Sequence, residues 1–367
     1  MLSNEILKEA ERVMIVCNAC RYCEGFCAVF PAMELRRTFT EQDLTYLANV
    51  CHNCRGCYYA CQYAPPHEFS MNVPKALGEL RLETYREWSW PAFLAWLFSR
   101  NALAVTVFTV LSVLLMLILT LAVKGSSVLF GVYSGEDAFY QVIPYPTLLS
   151  IMSALGIFAV AALLKGLANL WLETGGTLAE LLDPRANAQA LWDALRLRYL
   201  DGGGHGCNYP DERFSRMRPR FHHGVFYGFL CCLAATAVAM IYEHFLHLSA
   251  PYPFWSLPVV LGTIGGMAML IGTGGLLYLK KRMDRNPASP EALGMDVAFL
   301  VLLFLTSLTG LLLLVLRETS LMGILLVVHV GLVAGLFITM PYGKFIHSVY
   351  RYASLIRNAM EQSRGHK

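Results

Sequence analysis

Eight of the eleven cysteines fall between Cys17 and Cys61, in two copies of one spacing. Cys17, Cys20, Cys23 and Cys27 form the first, and Cys51, Cys54, Cys57 and Cys61 the second. Both read C-x2-C-x2-C-x3-C, the spacing with which bacterial-type ferredoxins hold [4Fe-4S] clusters. Three thiolates two residues apart can wrap a short loop around three iron corners, and the fourth must come from elsewhere. In two-cluster ferredoxins the last cysteine of each run crosses to the other cluster. By that rule one cluster takes Cys17, Cys20, Cys23 and Cys61, and the other takes Cys51, Cys54, Cys57 and Cys27. Zinc favours paired C-x2-C half-sites, often completed by histidine, which two full runs of four do not resemble. Four disulfides would suit a secreted domain, but no secretory signal is visible. One departure stands out: Ala28 and Gln62 follow the runs where ferredoxins usually carry proline, and Pro31 and Pro65 come later.

Histidines are the other residues with metal chemistry. His222, His223, His244 and His247 belong to one apolar stretch, and His329 and His347 to another. Ionisable side chains at membrane depth are candidates for function. On an unbroken helix His329 and His347, 18 residues apart, share a face about 27 Å apart; His222 and His244 lie within roughly 40° of one face. Two histidines from facing helices at one level can ligate a b-type haem. The expected pair is His347 with the His222/His223 position, assigned to His223. A weaker second pair is His244 with His329. The central count is one haem b, with a second left open. His205 and Cys207, in a glycine-rich turn, are more simply loop residues than a further site. Cys231 and Cys232 read as small packing residues inside a helix.

These groups need positioning elements. The chain has 367 residues, 56% hydrophobic and 15% charged, against about 25% charged in soluble domains. The expected organisation is a small two-cluster, ferredoxin-like segment over residues 1–100, followed by a mainly α transmembrane domain over 101–367. In the first, Thr40 and Asp43 form a capping box opening a helix to Val50 that reverses the chain between the motifs. Lys75 to Arg86 reads as a mixed-charge surface helix. Trp88, Trp90 and Trp96 with Arg100 read as an approach to a membrane interface. Beyond it, six apolar runs approach the about 20 residues a bilayer requires: 101–123, 147–172, 222–244, 255–279, 296–316 and 321–341. The fourth is glycine-rich, a pattern for close helix packing. In the long loop 173–221, Ala188, Leu191, Trp192, Leu195 and Tyr199 share one helical face.

Orientation follows from lysine and arginine in the loops. Loop 173–221 has seven, loop 280–295 four and the tail 342–367 five, whereas the opposite side has only Lys124 and Arg317. Positive loops stay inside, so both termini and the cysteines are expected in the cytoplasm. A net charge of +3 makes no case for nucleic acid. With no Rossmann glycine fingerprint and no nucleophile–base set, no substrate chemistry of the chain's own is evident. The parts describe a path from a cytosolic donor through clusters and haem to a lipid-soluble acceptor.

The runs CNACRYCEGFC and CHNCRGCYYACQYAPPHEF, followed by a six-helix region with GCNYPDER and FHHGVFYGF, resemble the tricarballylate/citrate utilisation protein B family. The resemblance covers nearly the whole chain. It implies an electron-transfer subunit in the bacterial inner (cytoplasmic) membrane. Its partner would be an FAD-dependent dehydrogenase that oxidises tricarballylate to cis-aconitate. It also implies two [4Fe-4S] clusters, b-type haem and delivery of electrons to membrane quinone. The 329–347 spacing is similar to the haem-binding histidine pair in the gamma subunit of respiratory nitrate reductase. Other expectations are a subunit of another membrane oxidoreductase, heterodisulfide-reductase-like or glycolate-oxidase-like, and a non-enzymatic redox sensor or cluster-gated transporter. A sensor would carry an output domain, and a transporter broken helices with mid-membrane acids; neither pattern is visible.

Overall fold

A computed structural model describes residues 2–365. The cysteine segment is built from helices Asn4–Cys20, Val29–Glu34, Glu41–Val50, Gly56–Tyr59 and Val73–Glu87. The Thr40–Asp43 capping box forms, with the Thr40 hydroxyl accepting from the Asp43 N–H at 3.2 Å. That helix returns the chain so that the two motifs face one another. Met14, Phe30, Leu47, Leu77 and Leu80 are buried together beneath them. Val73–Glu87 is therefore a core element and not a surface helix: its apolar residues pack inward, and even Arg81 and Thr84 are buried.

Among the described residues, six helices are long and apolar enough to cross a membrane: Ala92–Lys124, Tyr145–Glu173, Met217–Phe245, Leu257–Arg282, Pro290–Leu316 and Met322–Thr339. This is a mainly α, multi-pass membrane protein. Outward side chains such as Leu111, Leu115, Ile157 and Leu164 are exposed and apolar, as lipid contact requires. The third span lies along the fourth through glycines. A Cβ on Gly265 would stand 2.7 Å from the Gly228 carbonyl oxygen, so the backbones approach too closely for any side chain.

The sixth span does not run on to His347. It ends at Thr339, and a new helix, Ile346–Gly365, begins after Pro341 and Gly343. Proline cannot donate the next helical hydrogen bond. The last helix is not one of the six spans. Its Ile346, Tyr350 and Ile356 share the core of the cysteine segment, and Glu361 accepts from Arg36 at 2.6 Å.

In loop 173–221 the helix Pro184–Leu195 forms, but its packed face is Ala186, Ala190 and Asp193, against the last helix; Leu191 and Trp192 are exposed. A two-stranded hairpin follows, pairing Cys207 with Ser215 and Asn208 with Phe214. Of the approach tryptophans, Trp90 and Trp96 are exposed and Trp88 is buried.

Candidate metal centres

Chain reversal brings the last cysteine of each run to the other run. Cys17, Cys20, Cys23, Cys57 and Cys61 line one cavity of about 200 Å³. Burial first, then the neighbouring Cys23, Cys61 and Cys20, push the Cys17 thiol up to about 12. Cys27 is raised by burial first, then by Cys54 and Cys51; Cys57 is raised by burial, then by Cys54, Cys27 and Cys51. Cys23 bridges the two runs, raising both Cys27 and Cys57 and being raised by Cys54, so the thiols form one crowded, mutually repelling set. They stand around a space: among the described residues, no three His, Cys, Asp or Glu side chains converge closely enough for a single ion. Crowded thiols that resist ionisation together are stabilised when metal takes up the negative charge. The donor set therefore fits iron–sulfur clusters.

The second motif is held from outside itself. Arg351 Nη2 donates to the Cys51 carbonyl at 3.0 Å. Arg81 Nη1 donates to the same carbonyl at 2.5 Å and to that of Ala48 at 3.1 Å. Arg218 Nη1 donates to the Asn53 carbonyl at 2.5 Å, and its Nη2 to that of His52 at 3.3 Å. The hairpin closes the other side: the Asn208 N–H donates to the Cys54 carbonyl at 3.1 Å, and Cys207, fully buried, packs with Cys54. Cys207 is therefore a wall of the second motif, while His205 leaves it and rests on Phe214, ring centres 5.5 Å apart.

Two of these arginines lead to histidines. Arg218 precedes His222 by one helical turn, and Arg351 follows His347 by one turn. The rings of His222 and His347 face each other, centres 6.2 Å apart and planes at 86°. Two imidazoles that each place a nitrogen about 2 Å from one metal ion have ring centres roughly 6 Å apart. His347 Nδ1 donates to the Lys344 carbonyl, which leaves Nε2 as the unprotonated, ligating nitrogen. Burial first, then Lys344 and Arg351, holds this imidazole well below its ordinary pKa, in the neutral form a metal needs. His222 Nδ1 and His223 Nε2 are buried with no hydrogen-bond partner among the described residues. These observations fit a haem iron between helices. The residue opposite His347 is His222 and not His223, which turns toward Tyr227 at 5.6 Å.

His244 and His329 do not meet. His244 is exposed and bonds the Tyr145 hydroxyl at 2.9 Å, while His329 Nδ1 lies 3.1 Å from Thr309 Oγ1. His329 instead lines a cavity of about 370 Å³ between the third, fourth, fifth and sixth spans. Arg81, Arg218, Arg351 and the 207–215 hairpin were not marked by the sequence. No spacing sets apart three arginines on three separate helices.

Comparison with known proteins now adds the decisive observation. Residues 10–87 match the family described as "Citrate utilization protein B Fer4-like domain", and residues 97–367 that described as "Citrate utilization protein B". The chain belongs to the Citrate utilization protein B family. A relative of that name from Escherichia coli is 49% identical over 361 residues, covering 97% of this chain and 93% of the relative. No solved structure matches. Membership, with the Fer4-like domain, gives this member of the family an iron–sulfur electron-transfer role.

Proposed function

We propose that the chain is the membrane electron-transfer subunit of an oxidoreductase. It takes electrons from the reduced flavin of an FAD-dependent dehydrogenase, the partner that oxidises tricarballylate, and delivers them to membrane quinone. The carrying observation is the His222–His347 pair, joined through one helical turn on each side to the backbone of the second cysteine motif.

Bound at these positions, two [4Fe-4S] clusters and one haem b would supply one-electron transfer. The chain's own residues do the rest. Cys17, Cys20, Cys23 and Cys61 hold the outer centre, near exposed Cys20 and Tyr22, where a soluble donor can approach. Cys27, Cys51, Cys54 and Cys57 hold the inner one. His222 and His347 are the haem ligands, in place of the His223–His347 pair that spacing favoured.

The cavity beside His329 suits the acceptor. Phe229 lines its inner end, two turns or about 10 Å along the helix from His222. Phe229 also packs on Phe345, ring centres 5.4 Å apart, two residues before His347. Exposed Leu233 and Thr236 on the third span also line the cavity, which gives a way in from lipid. Reducing a quinone to a quinol takes two electrons and two protons, and each new hydroxyl needs an acceptor. The Thr309 hydroxyl donates to the Leu305 carbonyl at 2.8 Å, so its oxygen can accept from His329 Nδ1–H; in that tautomer Nε2 is the unprotonated nitrogen that would accept from the new hydroxyl.

We place residues 1–100 and both termini in the cytoplasm of a bacterial inner membrane, on the charge of the loops. Purified protein should show a reduced b-type haem band that a water-soluble ubiquinone or menaquinone analogue discharges after dithionite reduction. Protein lacking that band would defeat the proposal.

A further inference from the structure

We propose that Arg81, Arg218 and Arg351 order the potentials along the chain. They hold the cluster of the second motif at a more positive potential than that of the first, so electrons enter at Cys17–Cys61 and leave toward His222 and His347. This rests on the cluster reading above.

The observation is positive charge drawn into the protein without a carboxylate partner: Arg81 is buried, and Arg218 and Arg351 are half-buried. Arg81 is 4% exposed. Among the described residues, none of the three arginines has a carboxylate within ion-pair distance. Asp296, the acid whose field reaches Arg81, is taken by Lys280 at 2.6 Å and Lys344 at 2.8 Å. The three guanidinium groups donate to the neutral carbonyls of Ala48, Cys51, His52 and Asn53, and those of Arg81 and Arg218 also reach the Cys51 and Cys207 thiols. A desolvated guanidinium left so is costly unless an anion sits nearby. A cubane with four thiolates is such an anion, and reduction adds one more negative charge. Fixed cations beside it favour that charge, and net charge and hydrogen bonding are what set cluster potentials.

The first motif has no such setting. Its comparable donor is Arg21, which is exposed and donates to Asn18, at 3.0 Å to the carbonyl and 3.4 Å to Oδ1. Arg12 nearby is paired with Glu9 at 2.8 Å. Water screens exposed charge and leaves little of its field. The asymmetry therefore comes from tertiary packing: the second motif is pressed against a span and the last helix, and the first faces out.

The test is a redox titration of both clusters, followed by electron paramagnetic resonance, on the full-length protein in detergent. Arg351→Gln keeps a hydrogen-bond donor and removes the charge. It should move the midpoint of one cluster to more negative potential and leave the other in place, while Arg351→Lys stays near the wild type. In a Cys17→Ser background, which removes the outer cluster, the remaining signal should be the one that moves. Unmoved midpoints in Arg351→Gln, or movement of the Cys17-dependent signal instead, would overturn the inference. If Arg351→Gln loses its cluster, Arg218→Gln gives the same reading from another helix. Wild-type protein without two cluster signals would defeat the cluster reading itself, a different outcome.

Discussion

Arg351 Nη2 lies 3.0 Å from the carbonyl oxygen of Cys51, one helical turn beyond His347. A residue near the C-terminus thus holds the loop of the second cysteine motif, 300 positions earlier in the chain. The same helix carries the histidine that faces His222. The cysteine segment and the membrane bundle are therefore not two beads on a string, because the last helix is common to the core of one and the histidine pair of the other.

The two adjacent histidines should behave differently. His222→Ala and His347→Ala should each abolish the b-type band in a reduced-minus-oxidised spectrum. His223→Ala, whose ring leans on Tyr227, should keep it. The opposite pattern at 222 and 223 would exchange the ligand.

Crossed ligation makes a prediction about pairs of cysteines. Cys17→Ser with Cys61→Ser should retain about half of the cluster iron, since both serve one cluster. Cys17→Ser with Cys27→Ser should lose nearly all of it. Iron per chain, measured after anaerobic purification, decides between crossed and uncrossed arrangements.

Removing the His329 imidazole from the cavity should weaken the acceptor step alone. His329→Leu should raise the KM for a quinone analogue about tenfold, the cost of one hydrogen bond of about 1.4 kcal/mol. Cluster iron and haem absorbance should be unchanged. Loss of haem in this variant would show that the cavity holds a haem and not a quinone.

Glycine contacts between the third and fourth spans set a stability test. A Cβ at Gly265 would meet the Gly228 carbonyl oxygen at 2.7 Å, whereas one at Gly262 meets only Ala235 Cβ at 3.8 Å. Gly265→Ala should destabilise the bundle by about 1–3 kcal/mol. Gly262→Ala should be close to neutral. Thermal unfolding in detergent, followed by loss of haem absorbance, separates them.

Much of this protein was written locally. Cysteine spacing, the Thr40–Asp43 cap and six apolar runs are properties of short windows, and each survives in the structure because local chemistry alone dictates it. Periodicity also located the helix around Ala190, but not its packed face, since Leu191 and Trp192 turn outward and the smaller Ala186 and Ala190 fit against the last helix. Lys75 to Arg86 misled for a related reason: a charged stretch reads as surface until a buried arginine is seen bonding to carbonyls.

The choice between His222 and His223 is one residue, or about 100° around a helix. The rotation of the third span, packed through glycines against the fourth, sets which ring stands beside His347. Proline and glycine between Thr339 and Ile346 re-aim the chain and carry His347 off the axis of His329. Which atoms can bind metal was therefore determined by residue type and spacing. Which of them meet was decided by the packing of helices far apart in sequence, because distance in space depends on contacts that no window of the chain contains.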